Sequence, residues 1–379
     1  MFIIALTVTI LIAILVFVVS IGLVLQKVMY EIRSARNVRL NELYQQKLDP
    51  ILLEDLPPEA VDPDSMVFRQ HVKRLCEPLR LELQKISPLA RRAHRAALKQ
   101  VMFGVGRELA GETLARLILA FQILGFVDDE LHALGSRRWW VQARACRNLG
   151  LMRAGDATAD LTIFLKDEQE DVRTEAAMAL VSIGGVKALD PLFTNLHRIS
   201  VWMSIQLSKA VLSMGSRAVP SLVEGLSSES VSVQGFCIEM SGEIGDITAC
   251  SPLVEFSRSA DPMLRSKALL AIGKLGDEQG METLLEHLSD EQEQVRINAA
   301  RGLGFLASPE TAPFLKEHLL RDSIQVRLTA GKALTRIESV GLTCLREAFR
   351  ETDAIGKRIV NQFLEELGLP EEDVREHSS

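Results

Sequence analysis

The chain runs to 379 residues with a formal charge of −7, 47% hydrophobic and 5% aromatic residues. That mildly acidic balance argues against bulk nucleic-acid binding. Its five cysteines, Cys76, Cys146, Cys237, Cys250 and Cys344, are odd in number and scattered, unlike a disulfide framework, and no C-x-x-C pair suggests zinc.

Residues 2–25 carry no charge, and their only polar side chains are Thr7, Thr9 and Ser20. A helix of that length spans roughly 36 Å, against a hydrocarbon core of about 30 Å. Residues 1–26 are therefore expected to form a single transmembrane helix. Nothing basic precedes the run and no A-x-A pattern follows it, so it reads as an uncleaved anchor and not as a signal peptide. Lys27, Arg33, Arg36 and Arg39 come next, against Glu31 alone. By the positive-inside rule the N-terminus is expected outside and the body in the cytoplasm, at the inner membrane. Residues 27–65 read as a basic juxtamembrane helix ending near Leu43, then a linker. Asp49-Pro50, Pro57-Pro58, Asp62-Pro63 and several acids make the linker.

Residues 66–125 read as a helical N-terminal region. Phe68, Val72, Leu75, Leu79, Leu83 and Ile86 recur at steps of three and four, the mark of an amphipathic helix. Pro78 lies inside it and Ser87-Pro88 ends it. Two further helices follow over 89–110 and 112–124, with Gly125 as a C-cap. Residues 66–99 hold nine basic residues against Glu77 and Glu82, suited either to anionic lipid headgroups or to the acidic linker.

From there the chain repeats. Val141, Val172, Met203, Val233, Leu264, Val295 and Val326 are 31 residues apart, apart from one step of 30. Four residues beyond each stand Ala145, Ala176, Leu207, Cys237, Ala268, Ala299 and Ala330. Offsets of 8 and 11 carry further apolar side chains, such as Leu303 and Leu306, so each set traces one helix face. A preceding helix supplies Leu161, Leu192, Leu222, Leu253, Leu284, Phe314 and Leu345. Gly184, Gly215, Gly245 and Gly276 stand where a helix-ending left-handed residue is wanted. The expected fold is all-α: an α-solenoid of about seven two-helix units over 126–350. A capping helix follows over 351–370, then a disordered acidic tail over 371–379.

The run Leu284-Leu285-Glu286-His287-Leu288-Ser289-Asp290, continued by Val295-Arg296-Ile297-Asn298-Ala299-Ala300-Arg301-Gly302-Leu303-Gly304, resembles a HEAT repeat. So does Asp171-Val172-Arg173 with Ala176-Ala177 and Ala179-Leu180. The short period resembles the prokaryotic, phycobilisome-lyase-type subclass. The resemblance covers roughly 126–350 and implies a non-enzymatic scaffold that binds a protein partner. It needs no cofactor or metal and leaves the oligomeric state open. The alternatives are a HEAT-type enzyme, lyase or metal-dependent hydroxylase, and a nucleic-acid-binding HEAT protein. His287 and His318 follow Glu286 and Glu317, whereas the hydroxylase dyads run His-Glu; two reversed copies are too few for a metal site. The units around Met203 and Val233 depart from the pattern, and irregularity is expected there.

Arg173, Arg265, Arg296 and Arg327, with Gln142 and Gln234 in equivalent places, form a ladder. It is read as structural, each residue bonding an acid or carbonyl at a turn of its own or a neighbouring unit, with Asp171, Asp261, Glu291 and Asp322 nearby for this. The candidate partner site is the groove face of the second helices, at offsets 3, 6 and 10. It comprises Arg144, Arg147, Phe236, Lys267, Lys274, Arg301, Phe305, Lys332 and Arg336. Cations interleaved with exposed Phe236 and Phe305 suit an acidic, partly apolar peptide or helix. Trp139 and Trp140 are expected to pack the N-terminal edge of the array.

Overall fold

The computed structural model describes residues 2–57 and 62–369, leaving aside the side chains of 2–18 and of positions 22, 25, 32, 33 and 89. The expected acidic tail and part of the linker, 58–61, lie outside these. Among the described residues the chain is all helix, with short 3-10 turns and no strand. It divides into two compact units, 1–157 and 158–379.

The first unit holds α1 (Phe2–Leu53), α2 (Met66–Lys85), α3 (Pro88–Gly106), α4 (Gly111–Ile123), α5 (Phe126–Leu134) and α6 (Trp139–Leu151). The unit takes in α5 and α6, where the repeats were expected to begin, and α5 is tied back onto α3. Arg95 reaches Asp129 at 2.9 Å and Lys99 reaches Glu130 at 2.6 Å. Phe121 packs on Phe126 with centroids 5.3 Å apart. α1 runs ten residues past its expected end at Leu43, straight through Pro50. The cause is burial: Tyr44, Leu48, Ile51 and Leu52 dock into the core. Buried Arg116 then caps the helix end by donating to the carbonyls of Leu52 and Glu54. Ser65 opens α2 by accepting from the Phe68 N–H at 3.1 Å, and α2 continues unbroken through Pro78.

The second unit alternates short first helices with longer second helices. They are α7 (Thr158–Ile163), α8 (Glu170–Gly184), α9 (Leu189–Asn195), α10 (Val201–Met214), α11 (Val219–Gly225) and α12 (Val231–Ile244). The series continues with α13 (Cys250–Phe256), α14 (Pro262–Leu275), α15 (Met281–Glu286), α16 (Glu293–Leu306), α17 (Ala312–Arg321), α18 (Ile324–Leu334), α19 (Glu338–Glu351) and α20 (Ala354–Glu366). The alanine rung is buried throughout, with Ala176, Leu207, Cys237, Ala268, Ala299 and Ala330 all at 0% exposure. Small residues then let second helices meet backbone to backbone. A Cβ on Gly242 would lie 2.7 Å from the Ala271 backbone, and one on Gly273 would fall inside the backbone of Gly302.

Four expectations need correction. Leu315 fills the first-helix rung, and Phe314 is exposed. Gly185, not Gly184, takes the positive φ after α8, because the turn comes one residue later. Trp139 and Trp140 stack edge-on to each other and stay 41% and 53% exposed, so neither is a buried anchor. The helix expected as a cap is the second helix of a further unit: α20 continues the buried rungs with Gly356, Val360 and Leu364.

The transmembrane expectation for 1–26 falls mostly on side chains outside those described; the backbone there is helical. Among the described residues one stretch, Glu170–Asn195, is long and apolar enough to cross a membrane. It is α8 and α9 joined through Gly185 at φ 55°, and half of its most apolar window is buried, as befits core helices.

Candidate partner-docking face

Each candidate residue except Arg336, which lies in the turn after α18, sits on a second helix, and neighbouring units decide what it is free to do. Lys267 reaches Glu239 at 2.8 Å, Lys274 reaches Glu243 at 2.5 Å, and Lys332 reaches Glu366 at 2.9 Å. These lysines staple consecutive second helices, each exposed pair contributing about 0–1 kcal/mol. Phe236 is buried at 2% exposure against Phe193, with centroids 6.0 Å apart. Its expected exposure is therefore overturned. Asn298 at the same offset is likewise buried at 7%, whereas Arg144 there is exposed.

Cations gather at two clefts. Around Phe305, which is 41% exposed, the Arg336 guanidinium lies 4.6 Å from the ring centroid. Arg301 stands beside it on the same cleft of about 220 Å³, with no hydrogen bond or ion pair among the described residues. In the first unit, Arg144 and Arg147 share a cleft of about 660 Å³ with Arg107, Lys99 and Phe103. Glu130, the carboxylate there, is consumed by Lys99 and by Asn148 at 2.9 Å.

α10 carries an apolar stripe outside the expected site. Val201, Trp202, Ile205 and Leu212 are 81%, 56%, 59% and 43% exposed. Ile205 and Leu212 occupy offsets where α12 carries Gly235 and Gly242. A rung-by-rung comparison at offsets 2 and 9 would have found them.

The arginine ladder is structural in each rung described. Arg173 donates to the carbonyls of Asp167 and Glu168 at 2.7 and 2.8 Å. Arg265 donates to the Ser259 carbonyl and to the Asp290 carboxylate. Arg296 donates to the Asp290 carbonyl and the Asp322 carboxylate, and Arg327 to the Leu319 carbonyl and Asp353. Gln142 and Gln234 donate to the carbonyls of Leu134 and Leu226. The carboxylates thus come from the next unit, Asp290, Asp322 and Asp353, and only Asp322 was among the acids expected. The ladder stops where irregularity was expected: the position 25 residues after Arg173 is Arg198. Burial, the largest single influence, would raise the Asp290 and Asp322 carboxyls; hydrogen bonds from Arg265 and Arg296 respectively, joined by those from the Gln292 N–H or from His318 and the Ser323 N–H and by charge attraction, together outweigh it and hold both below the ordinary range. Asp353 is brought down to about 2 by its hydrogen bonds to Arg327 and the Gly356 N–H.

His287 is buried and bonds the Thr283 carbonyl at 2.8 Å; His318 bonds Asp322 at 3.0 Å. Of the basic 66–99 segment, Arg74 meets the linker through Glu54 at 3.6 Å. Arg91 donates to the carbonyls of Gln84 and Ile86.

The HEAT-repeat family model matches residues 128–202, 219–293, 252–335 and 281–365. No curated protein matches the chain. Among solved structures, an engineered protein is similar at 18% identity and a TM-score of 0.34, over 87% of this chain and 99% of that one. The complex of CpcE and CpcF of phycocyanin lyase from Nostoc sp. is similar at 18% identity and a TM-score of 0.31, over 64% and 94%. Human deoxyhypusine hydroxylase in complex with glycerol is similar at 17% identity and a TM-score of 0.28, over 83% and 100%. Scores this low bring no activity, ligand or partner to this chain. The family matches, by contrast, span more than half of its residues, and the chain belongs to the HEAT-repeat family.

Proposed function

We propose that this protein is a membrane-anchored, non-enzymatic scaffold that holds an acidic, partly apolar protein segment on the second helices of its HEAT units. The observation that carries the reading is the α10 stripe. Val201, Trp202, Ile205 and Leu212 leave one helix face apolar and open to solvent, and contiguous exposed apolar surface marks interaction sites. Trp is also the side chain most enriched at binding hot spots. Arg301 and Arg336 at Phe305 supply the cationic end of the same helix layer and favour an acidic partner.

The anchor belongs to the proposal. The uncharged run 2–25 would cross the inner membrane with its N-terminus outside, and the repeats would lie in the cytoplasm. The 31-residue period supports membership of the short phycobilisome-lyase-type repeats.

Site-specific photocrosslinking in the full-length protein tests the docking face. A photoreactive side chain at Trp202 or at Arg301 should give an adduct of one common mass, absent when it is placed at exposed Glu282 on α15. Adding Arg336→Glu should weaken the Trp202 adduct while leaving the melting temperature nearly unchanged, because exposed substitutions cost about 0.5 kcal/mol or less. An adduct at Glu282 alone would move the docking face to the first helices.

A further inference from the structure

We infer that the juxtamembrane part of α1 pairs in parallel with α1 of a second copy of this chain. The helix leaves the body of the first unit at Leu40, and every described side chain from Val19 to Arg39 is exposed. Ile21, Val24, Val28 and Val38 are 44%, 61%, 45% and 53% exposed. Ile21 and Val24 end the run read as the membrane span; beyond it a lone helix in water gains most of its stability from packing an apolar face, and the described residues offer α1 none there.

The pattern of that face specifies the occupant. Ile21, Leu25, Val28, Ile32 and Ala35 follow one another at steps of four, three, four and three. That is the 3.5-residue repeat of a left-handed two-stranded seam, with Leu25 and Ile32 at a and Ile21, Val28 and Ala35 at d. The outermost positions, f, are then Tyr30, which is 72% exposed, and Asn37. Arg39 is the next a residue, and a polar side chain there ends the seam where the helix turns into its own body at Leu40.

Charge fits the same register. Glu31 falls at g and Arg36 at e, five residues on, which is the cross-strand pairing of a parallel dimer. Both are exposed, and neither has an ion pair among the described residues. About two heptads are short for association in bulk water. A shared membrane raises the effective concentration, so the strength of pairing, though not its register, rests on the anchor proposed above.

Single-cysteine variants of the full-length protein test this in isolated membranes. The five native cysteines are buried, so unsubstituted protein is the blank. Under mild oxidation Val28→Cys and Ala35→Cys should give a disulfide-linked species of twice the chain mass, whereas Tyr30→Cys and Asn37→Cys should not. In the Val28→Cys background, Glu31→Arg should lower the yield several-fold, and adding Arg36→Glu should restore it. Equal crosslinking at all four positions, an adduct of another mass, or no recovery in the double exchange overturns the pairing. Carbonate washing of the same samples separates the two readings. Chain that stays in the membrane without any crosslink sinks the dimer and keeps the anchor. A patterned crosslink on chain that washes off sinks the anchor and keeps the dimer.

Discussion

Gly273 shows how little space one residue of this protein leaves its neighbours. A methyl group there would overlap the backbone of Gly302, so α14 and α16 must separate to admit it. Gly273→Ala is expected to destabilise the second unit by about 1–3 kcal/mol, the usual cost of overpacking. Gly104→Ala is the counterpart: nothing lies within 4 Å of its added Cβ. Replacing glycine inside a helix should there stabilise by about 0.5 kcal/mol. Urea unfolding of both variants checks the contrast, and equal effects would mean that the Gly273 seam is not tight. The same scale explains which residues the sequence placed wrongly. One residue of slip turns a side chain by about 100° around a helix. The 30-residue step from Leu284 therefore landed on exposed Phe314 in place of Leu315, while the alanine rung, spaced correctly, is buried at every position. Phe236 was misjudged for another reason. Its offset faces solvent on an isolated helix, and only the neighbouring helices cover it.

At the level of elements, the arginine ladder makes the later units sensitive to acid. Asp290, Asp322 and Asp353 all titrate below the ordinary carboxylate value of 3.8, Asp353 at about 2. A carboxyl whose folded pKa is depressed contributes stability that is complete above its unfolded pKa. That contribution is lost as pH falls through the folded value. Thermal melting of the second unit should therefore fall as pH drops from about 4 towards 2. Asp322→Asn should flatten this dependence and cost about 1.5–3 kcal/mol at neutral pH, the range for hydrogen bonds to charged groups. Far-UV circular dichroism at several pH values measures both, and an unchanged pH profile would show that the ladder carries no such linkage. The arginines were legible in the sequence, and so was their use of turn carbonyls. Of their carboxylate partners only Asp322 was named, because Asp290 and Asp353 lie 25 and 26 residues beyond Arg265 and Arg327. A one-dimensional reading looks for acids close by.

For the molecule as a whole, the period revealed the architecture because every unit must bury the same face. The proposed docking stripe on α10 stayed hidden because solvent-facing positions obey no such constraint. The charge distribution around α1 carries the remaining whole-chain consequence. No charge occurs in residues 2–25, whereas Lys27, Arg33, Arg36 and Arg39 follow within fourteen residues and only Glu31 opposes them. Cations close to a span are retained on the cytoplasmic side, and acids weigh little in that choice. A reporter fused after Ser379 should accordingly be active in the cytoplasm and inactive outside it. Replacing Lys27, Arg33, Arg36 and Arg39 by Gln removes the bias without adding opposite charge. It should give a mixed population in which some fusions report from outside. Wild-type chain reporting from outside, or mature protein beginning after residue 20, would rule out the anchor. An unmixed cytoplasmic signal from the Gln variant would mean that the first-unit cations, such as Arg69 and Lys73, suffice to hold the body inside.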